Sequence, residues 1–163
     1  MEILSEAEMT GLFELAVRDA GETEVETRSG GMTGRDVLVL LKVAAGWRGG
    51  AAELARELGL TAARTCLALE RGRRVGLLDA DKRLVQREAL VEFFAHGLRF
   101  TLPADVRGGR TAPMDPAASA AAEGDERLGA LLDLADIMRR DGPRERAAAA
   151  RELARRLSAY SFS

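Results

Sequence analysis

Apolar positions along this chain recur mostly at three- and four-residue intervals, the spacing that lines one face of a helix. Residues 5–19 open with Ser5 and Glu8, a capping box, and carry Met9, Leu12, Phe13, Ala16 and Val17 on one stripe before Gly21 ends the helix. Residues 22–34 are polar and glycine-bearing, a loop with room for a short edge strand at 24–28. Thr33 and Asp36 mark a second helix start. The helix expected over 35–45 is apolar all round, through Val37, Leu38, Val39, Leu40, Leu41 and Val43. Such a helix is buried on several sides, so it is the expected core helix, with part of its surface available to a partner subunit.

Residues 51–75 are the most informative stretch. Leu54, Ala55 and Leu58 make a half-buried stripe, and Gly59 follows where a helix commonly ends on a left-handed residue. Leu60 plugs the core, Thr61 offers a capping hydroxyl, and Thr65, Ala68 and Leu69 face inward on the next helix. That is the spacing of a helix-turn-helix. Residues 75–78 and 83–85 then flank Asp79-Ala80-Asp81-Lys82, two apolar runs around a polar turn, which predicts a β-hairpin in the position of a wing. A further amphipathic helix spans 86–100, with Leu90, Val91, Phe94 and Leu98 inward.

Residues 101–126 lack periodicity and hold prolines, a Gly-Gly pair and an alanine run, so they read as a linker partly extended along the domain or as a functional wrap. Leu128, Leu131, Leu132, Ala135 and Met138 mark the next helix, which Asp141-Gly142-Pro143 breaks. Ala147, Ala150, Leu153, Ala154 and Leu157 line the last one. This pair has too little apolar area to stand alone and must dock on the rest of the chain or on a second copy. The expected organisation is therefore an N-terminal helix and loop (1–34), a winged helix-turn-helix domain (35–100), a linker (101–126) and a C-terminal helical hairpin (127–160). The fold class is mainly α, with a short β-hairpin wing.

Composition narrows the functions. One cysteine and one histidine cannot make a four-ligand Cys/His zinc site or an internal disulfide framework. No apolar run is long enough to span a bilayer and the N-terminus is acidic, so a cytoplasmic protein is expected, with no membrane contact. The sequence holds no P-loop, no dinucleotide fingerprint, no HExxH and no activated nucleophile, so neither catalysis nor a cofactor is expected. Cys66 is read as a packed small hydrophobe, with redox sensing as the alternative, and His96 as a packed, hydrogen-bonded residue. Charge is uneven: residues 1–36 hold nine acids and three bases, while 37–110 hold thirteen bases and eight acids. The positive excess falls on the helix-turn-helix, as phosphate contact requires.

The run Glu53-Leu54-Ala55-Arg56-Glu57-Leu58-Gly59-Leu60-Thr61 resembles the start of the DNA-reading unit of bacterial winged helix-turn-helix transcriptional regulators, the class that includes the MarR-like proteins. Phe94-Ala95-His96-Gly97-Leu98-Arg99-Phe100, Pro103, Arg127-Leu128, residues 135–139 and Arg144-Glu145-Arg146 resemble a subgroup of bacterial winged-helix proteins with a C-terminal helical pair, over 33–156. The resemblance implies a homodimer that regulates transcription on double-stranded DNA. Carried onto this chain, the reading helix would use Thr61 and its N-terminal amides for phosphate, small Ala62 and Ala63 for close approach, and Arg64, Arg71 and Arg74 for base edges or phosphate. Leu67 could touch a thymine methyl, while Lys82 and Arg83 would sit at the wing tip. Glu70 has the wrong sign for a phosphate field unless it accepts from a cytosine amine or pairs with Arg74. The competing reading is a protein-interaction adaptor that keeps the fold but holds a protein partner through the Leu67 face and the acidic N-terminal segment.

Overall fold

The apolar helix sits where its lack of a polar face requires. In this computed structural model, which describes residues 31–161, α1 (Gly34–Ala44) runs through the middle of one hydrophobic core. The helix expected over 5–19 and the edge strand over 24–28 lie outside the described residues. Thr33 and Asp36 close a reciprocal cap: Thr33 Oγ1 accepts from the Asp36 amide at 3.2 Å, and Asp36 Oδ2 accepts from the Thr33 amide at 2.9 Å. Val37 through Leu41 have no exposed surface at all. The expected share of α1 for a partner subunit is therefore taken up inside the chain itself.

The next two helices, α2 (Ala51–Leu58) and α3 (Ala62–Arg74), are joined by the glycine turn. Gly59 is left-handed, at φ 66°, and the Leu60 amide returns to the Ala55 carbonyl at 2.9 Å, which closes the last turn of α2. Thr61 Oγ1 accepts from the Arg64 amide and so caps α3. α3 packs on α1 at Gly72, where a Cβ would lie 2.8 Å from a Leu40 methyl carbon and would push the Leu40 side chain aside.

The expected wing is reduced to one antiparallel bridge, Leu78 with Val85, flanked by the bonds Asp79 N–H to Leu84 O (2.9 Å) and Gln86 N–H to Leu77 O (2.8 Å). Its length is limited from both ends. Gly76 is left-handed at φ 81°, and α4 (Arg87–His96) begins immediately after Gln86. The turn is organised instead by Asp79, whose carboxylate accepts from the Arg83 and Leu84 amides at 2.8 and 3.1 Å.

A paired two-stranded hairpin does occur, further along. After α5 (Leu98–Thr101) come β1 (Val106–Arg107) and β2 (Arg110–Thr111), antiparallel about Gly108-Gly109. Then follow α6 (Ala118–Glu123), α7 (Glu126–Arg140) and α8 (Pro143–Tyr160). Residues 101–126 are tied into the fold at several points, the ion pairs of Lys42 with Asp125 at 2.7 Å and Arg35 with Asp115 at 3.5 Å among them. Arg139 donates to the carbonyls of Leu102, Ala112 and Pro103. Met114 passes so close to Gly34 that a Cβ there would overlap its carbonyl oxygen. The C-terminal pair docks on its own chain: α8 packs on α4 and α7, and α7 on α5 and α1. Leu90, Phe94, Leu98, Leu131, Met138, Leu153 and Leu157 are fully buried between these helices. At about 25 cal/mol per Å² of apolar surface, such side chains supply the main drive for that docking. No described helix is long and apolar enough to cross a membrane.

Candidate nucleic-acid interface

α3 is enclosed along its middle and open at its two ends. Thr65 through Leu69 are five consecutive buried residues, more than one full turn, so no face of the helix is free there. Leu67 is 8% exposed, and the helical spacing that sets it opposite the inner stripe does not hold as an outer face. The cause is packing on two sides, since α3 lies against both α1 and α2.

At the N-terminal end Thr61 is exposed and Ala62, Ala63 and Arg64 are half-exposed. Thr61 spends its hydroxyl on the Arg64 amide and its carbonyl on Thr65 Oγ1, so its role in the structure is to shape the first turn. At the other end the arginines divide by partner. Arg71 turns inward: its Nη1 lies 2.7 Å from Asp36 Oδ2 and 3.2 Å from the Gly31 carbonyl, and its side chain is only 13% exposed. Arg74 reaches out, with its side chain 65% exposed and Glu70 3.9 Å away.

Glu70 is the centre of the charge arrangement. It accepts from Arg73 Nε at 3.1 Å, pairs with Arg73 Nη2 as well, and holds Lys82 Nζ at 2.8 Å. The Arg73 guanidinium above all, with Lys82, lowers the carboxyl pKa to about 2. Glu70 is thus a brace between α3 and the turn that follows it. Lys82 itself sits at φ 59°, a left-handed conformation unusual for a residue with a Cβ. Arg83, beside it, is exposed.

The nine residues singled out from sequence therefore fall into separate groups. Thr61, Ala62, Ala63 and Arg64 share the open first turn, and Arg74 and Arg83 are exposed near the far end. Lys82 is spent on Glu70, Arg71 on Asp36, and Leu67 on the core. Arg73 was not among them, although it lies three residues after Glu70, a spacing that pairs side chains on a helix. The long-range partner Lys82 has no such local signal.

Two lone residues are also placed. Cys66 is buried and desolvation pushes its thiol pKa up, which disfavours the reactive thiolate. His96, expected to be packed, is exposed at the end of α4, where the adjoining Gly97 lets the chain turn into α5. Among the described residues no group of three potential metal ligands occurs.

The fold and this surface define a mainly α-helical protein whose central helix supports a glycine-turned helix pair with arginine at the exposed end. Comparison with family models, curated proteins and solved structures finds no match to this chain.

Proposed function

We propose that this chain is a DNA-binding transcriptional regulator whose α2–α3 pair acts as a helix-turn-helix on duplex DNA. The observation that carries the reading is the open first turn of α3. In helix-turn-helix proteins the N-terminal residues of the second helix meet the base edges. Here that turn is small, at Ala62 and Ala63, with Arg64 beside it and its own amides directed along the axis. The exposed Arg74 and Arg83 supply positive charge for the phosphate backbone. Among the described residues the C-terminal helices α7 and α8 make their main contacts with α4, α5 and α1 rather than with α3. A homodimer on palindromic half-sites about one helical turn apart accords with this role. Its two-fold contact would use surfaces other than α1. The adaptor alternative relied on the Leu67 face, which is packed inside, and on the acidic N-terminal segment, which lies outside the described residues.

The test is fluorescence anisotropy on a labelled duplex of the DNA upstream of the protein's own gene, over a salt series. Affinity should fall steeply with salt, and Arg74→Ala should reduce the slope of log K against log[salt] by about 0.9, the loss of one phosphate contact. Arg64→Ala should lower affinity for the upstream DNA more than for an unrelated duplex. Wild-type protein with no salt-sensitive affinity for duplex DNA would remove the regulator reading.

A further inference from the structure

The turn that follows α3 closes over a cavity. Asp81, Lys82 and Arg83 form one wall and the loop after α1 forms another, with a space of about 80 Å³ between them. Val43 of α1, Leu54 of α2 and Leu69 of α3 also line it, and none of the three is more than 4% exposed, so they make its inner end. Arg48, Asp81 and Arg83 are exposed and make its mouth.

Two features of the lining call for an acceptor. Trp47 Nε1 is buried without a hydrogen-bond partner, and a donor left in that state is costly. The side of the indole ring that carries this nitrogen lies against Gly49, part of the cavity wall, where a Cβ would stand 2.9 Å from Cε2. The second feature is charge. Lys82 is offset by Glu70, at 2.8 Å. Arg48 Nη1 donates to the Val43 and Trp47 carbonyls, and among the described residues neither Arg48 nor Arg83 is paired with a carboxylate. Asp81 is the single acid in the lining, so two guanidinium groups face one carboxylate at the mouth.

A positive mouth over an apolar inner end fits an amphipathic anion, since guanidinium pairs with carboxylate and an alkyl tail gains by leaving water. Size narrows the class. A cavity of about 150 Å³ takes the six carbons of benzene, so one of this volume takes a tail of about three.

We propose that this cavity binds a short-chain aliphatic carboxylate, its tail against Val43, Leu54 and Leu69, its oxygens toward Arg48 and Arg83, and the Trp47 N–H as a further donor. The wall that holds the ligand is the turn braced by Glu70, with Lys82 left-handed at φ 59°. Occupancy therefore draws Arg83 into the mouth. On the regulator reading, on which this consequence alone rests, the bound carboxylate takes Arg83 from the phosphate backbone and weakens DNA binding.

Trp47 is the single tryptophan of the chain, so its emission reports on the cavity directly. The full chain is titrated with butyrate at constant ionic strength, with acetate and inorganic phosphate as comparisons. Butyrate should give a saturable change with a midpoint of about 1 mM, within reach of six non-hydrogen atoms. Acetate, two methylenes shorter, should bind roughly 10-fold more weakly, and phosphate should give no saturable change. Arg83→Gln, at an exposed position, should keep the wild-type far-UV spectrum and raise the butyrate midpoint about 10-fold. An emission that does not saturate means that the cavity holds water only and overturns the site. Phosphate binding as tightly as butyrate overturns the carboxylate class, and a wild-type midpoint in Arg83→Gln overturns the placement. In duplex binding at matched salt, about 10 mM butyrate should weaken wild-type affinity several-fold and leave Arg83→Gln unmoved. Butyrate that binds without changing duplex affinity overturns the link to DNA. A chain that binds butyrate but no duplex removes the regulator reading and leaves the site standing.

Discussion

Arg71→Ala separates a structural arginine from a DNA-contacting one. Arg71 Nη1 lies 2.7 Å from Asp36 Oδ2, and the two side chains are 13% and 6% exposed. Removing one partner of a buried pair leaves the other charge in the core, at a cost of about 3–5 kcal/mol. Asp36 would retain part of its support. It still accepts from the Thr33 amide at 2.9 Å, and it stands in the first turn of α1, where the helix dipole favours a negative charge by up to about 1 kcal/mol. The expected net loss is therefore about 2–4 kcal/mol. With a urea m-value of about 2 kcal/mol/M, the unfolding midpoint should fall by about 1–2 M. Asp36→Asn in the same background should couple strongly with Arg71→Ala in a double-mutant cycle, because each single change removes the same contact. The folded fraction of Arg71→Ala should bind duplex DNA with the wild-type salt slope. An Arg71→Ala protein that unfolds at the wild-type urea concentration, and whose salt slope drops by about one contact, would place Arg71 on a phosphate and refute this assignment.

Glu70→Gln should flatten the dependence of stability on pH at the acid end. The Glu70 carboxyl is lowered to about 2 from a reference of 4.5, so its contribution is present above the unfolded value and lost as pH falls from about 4.5 towards 2. Urea midpoints measured at intervals between pH 2 and 6 check this, and a variant that loses stability in parallel with wild type over that range would contradict it. Gly34→Ala should destabilise by about 1–3 kcal/mol despite the better helix propensity of alanine, because the new methyl meets the Met114 backbone. A raised melting temperature would show that residues 112–117 do not lie against α1. Leu153→Ala should cost about 2–5 kcal/mol and leave unfolding as one cooperative transition. Separate loss of α8 at lower denaturant would mean that it is not part of the common core.

The helices were legible because their signals are local. The reciprocal Thr33–Asp36 cap, the left-handed Gly59 and the Pro143 start of α8 each sit within a few residues of what they control. The core role of α1 followed from its lack of any polar face. Two features depend on contacts across long sequence separations and left no such trace. Gly34 reads as a loop glycine before a helix, yet it is the point where Met114, eighty positions on, crosses the backbone. Arg139 reads as a basic residue at a helix end, favourable for the dipole, yet it ties down both sides of the 106–111 hairpin. The hairpin at 106–111 was hidden in the same way, because strands of two residues show no alternation to detect.

The arginines of α3 show why the fold was easier to read than the site. Arg64, Arg71, Arg73 and Arg74 are the same residue on the same helix, and their angular positions alone make Arg71 and Arg74 equally suitable readers. Their roles depend on which acid reaches each one. Asp36 comes from a helix earlier in the chain and captures Arg71, whereas Glu70 draws in Arg73 and, from beyond Gly76, Lys82. Each pair spends a cation that a polyanion would otherwise meet. A positive excess over 37–110 is therefore an upper limit on the charge presented to DNA. The part available is what remains after internal pairing, and it includes Arg74 and Arg83, both exposed near the far end of α3. The salt dependence of binding should therefore respond to Arg74 and Arg83 and be unmoved by Arg71.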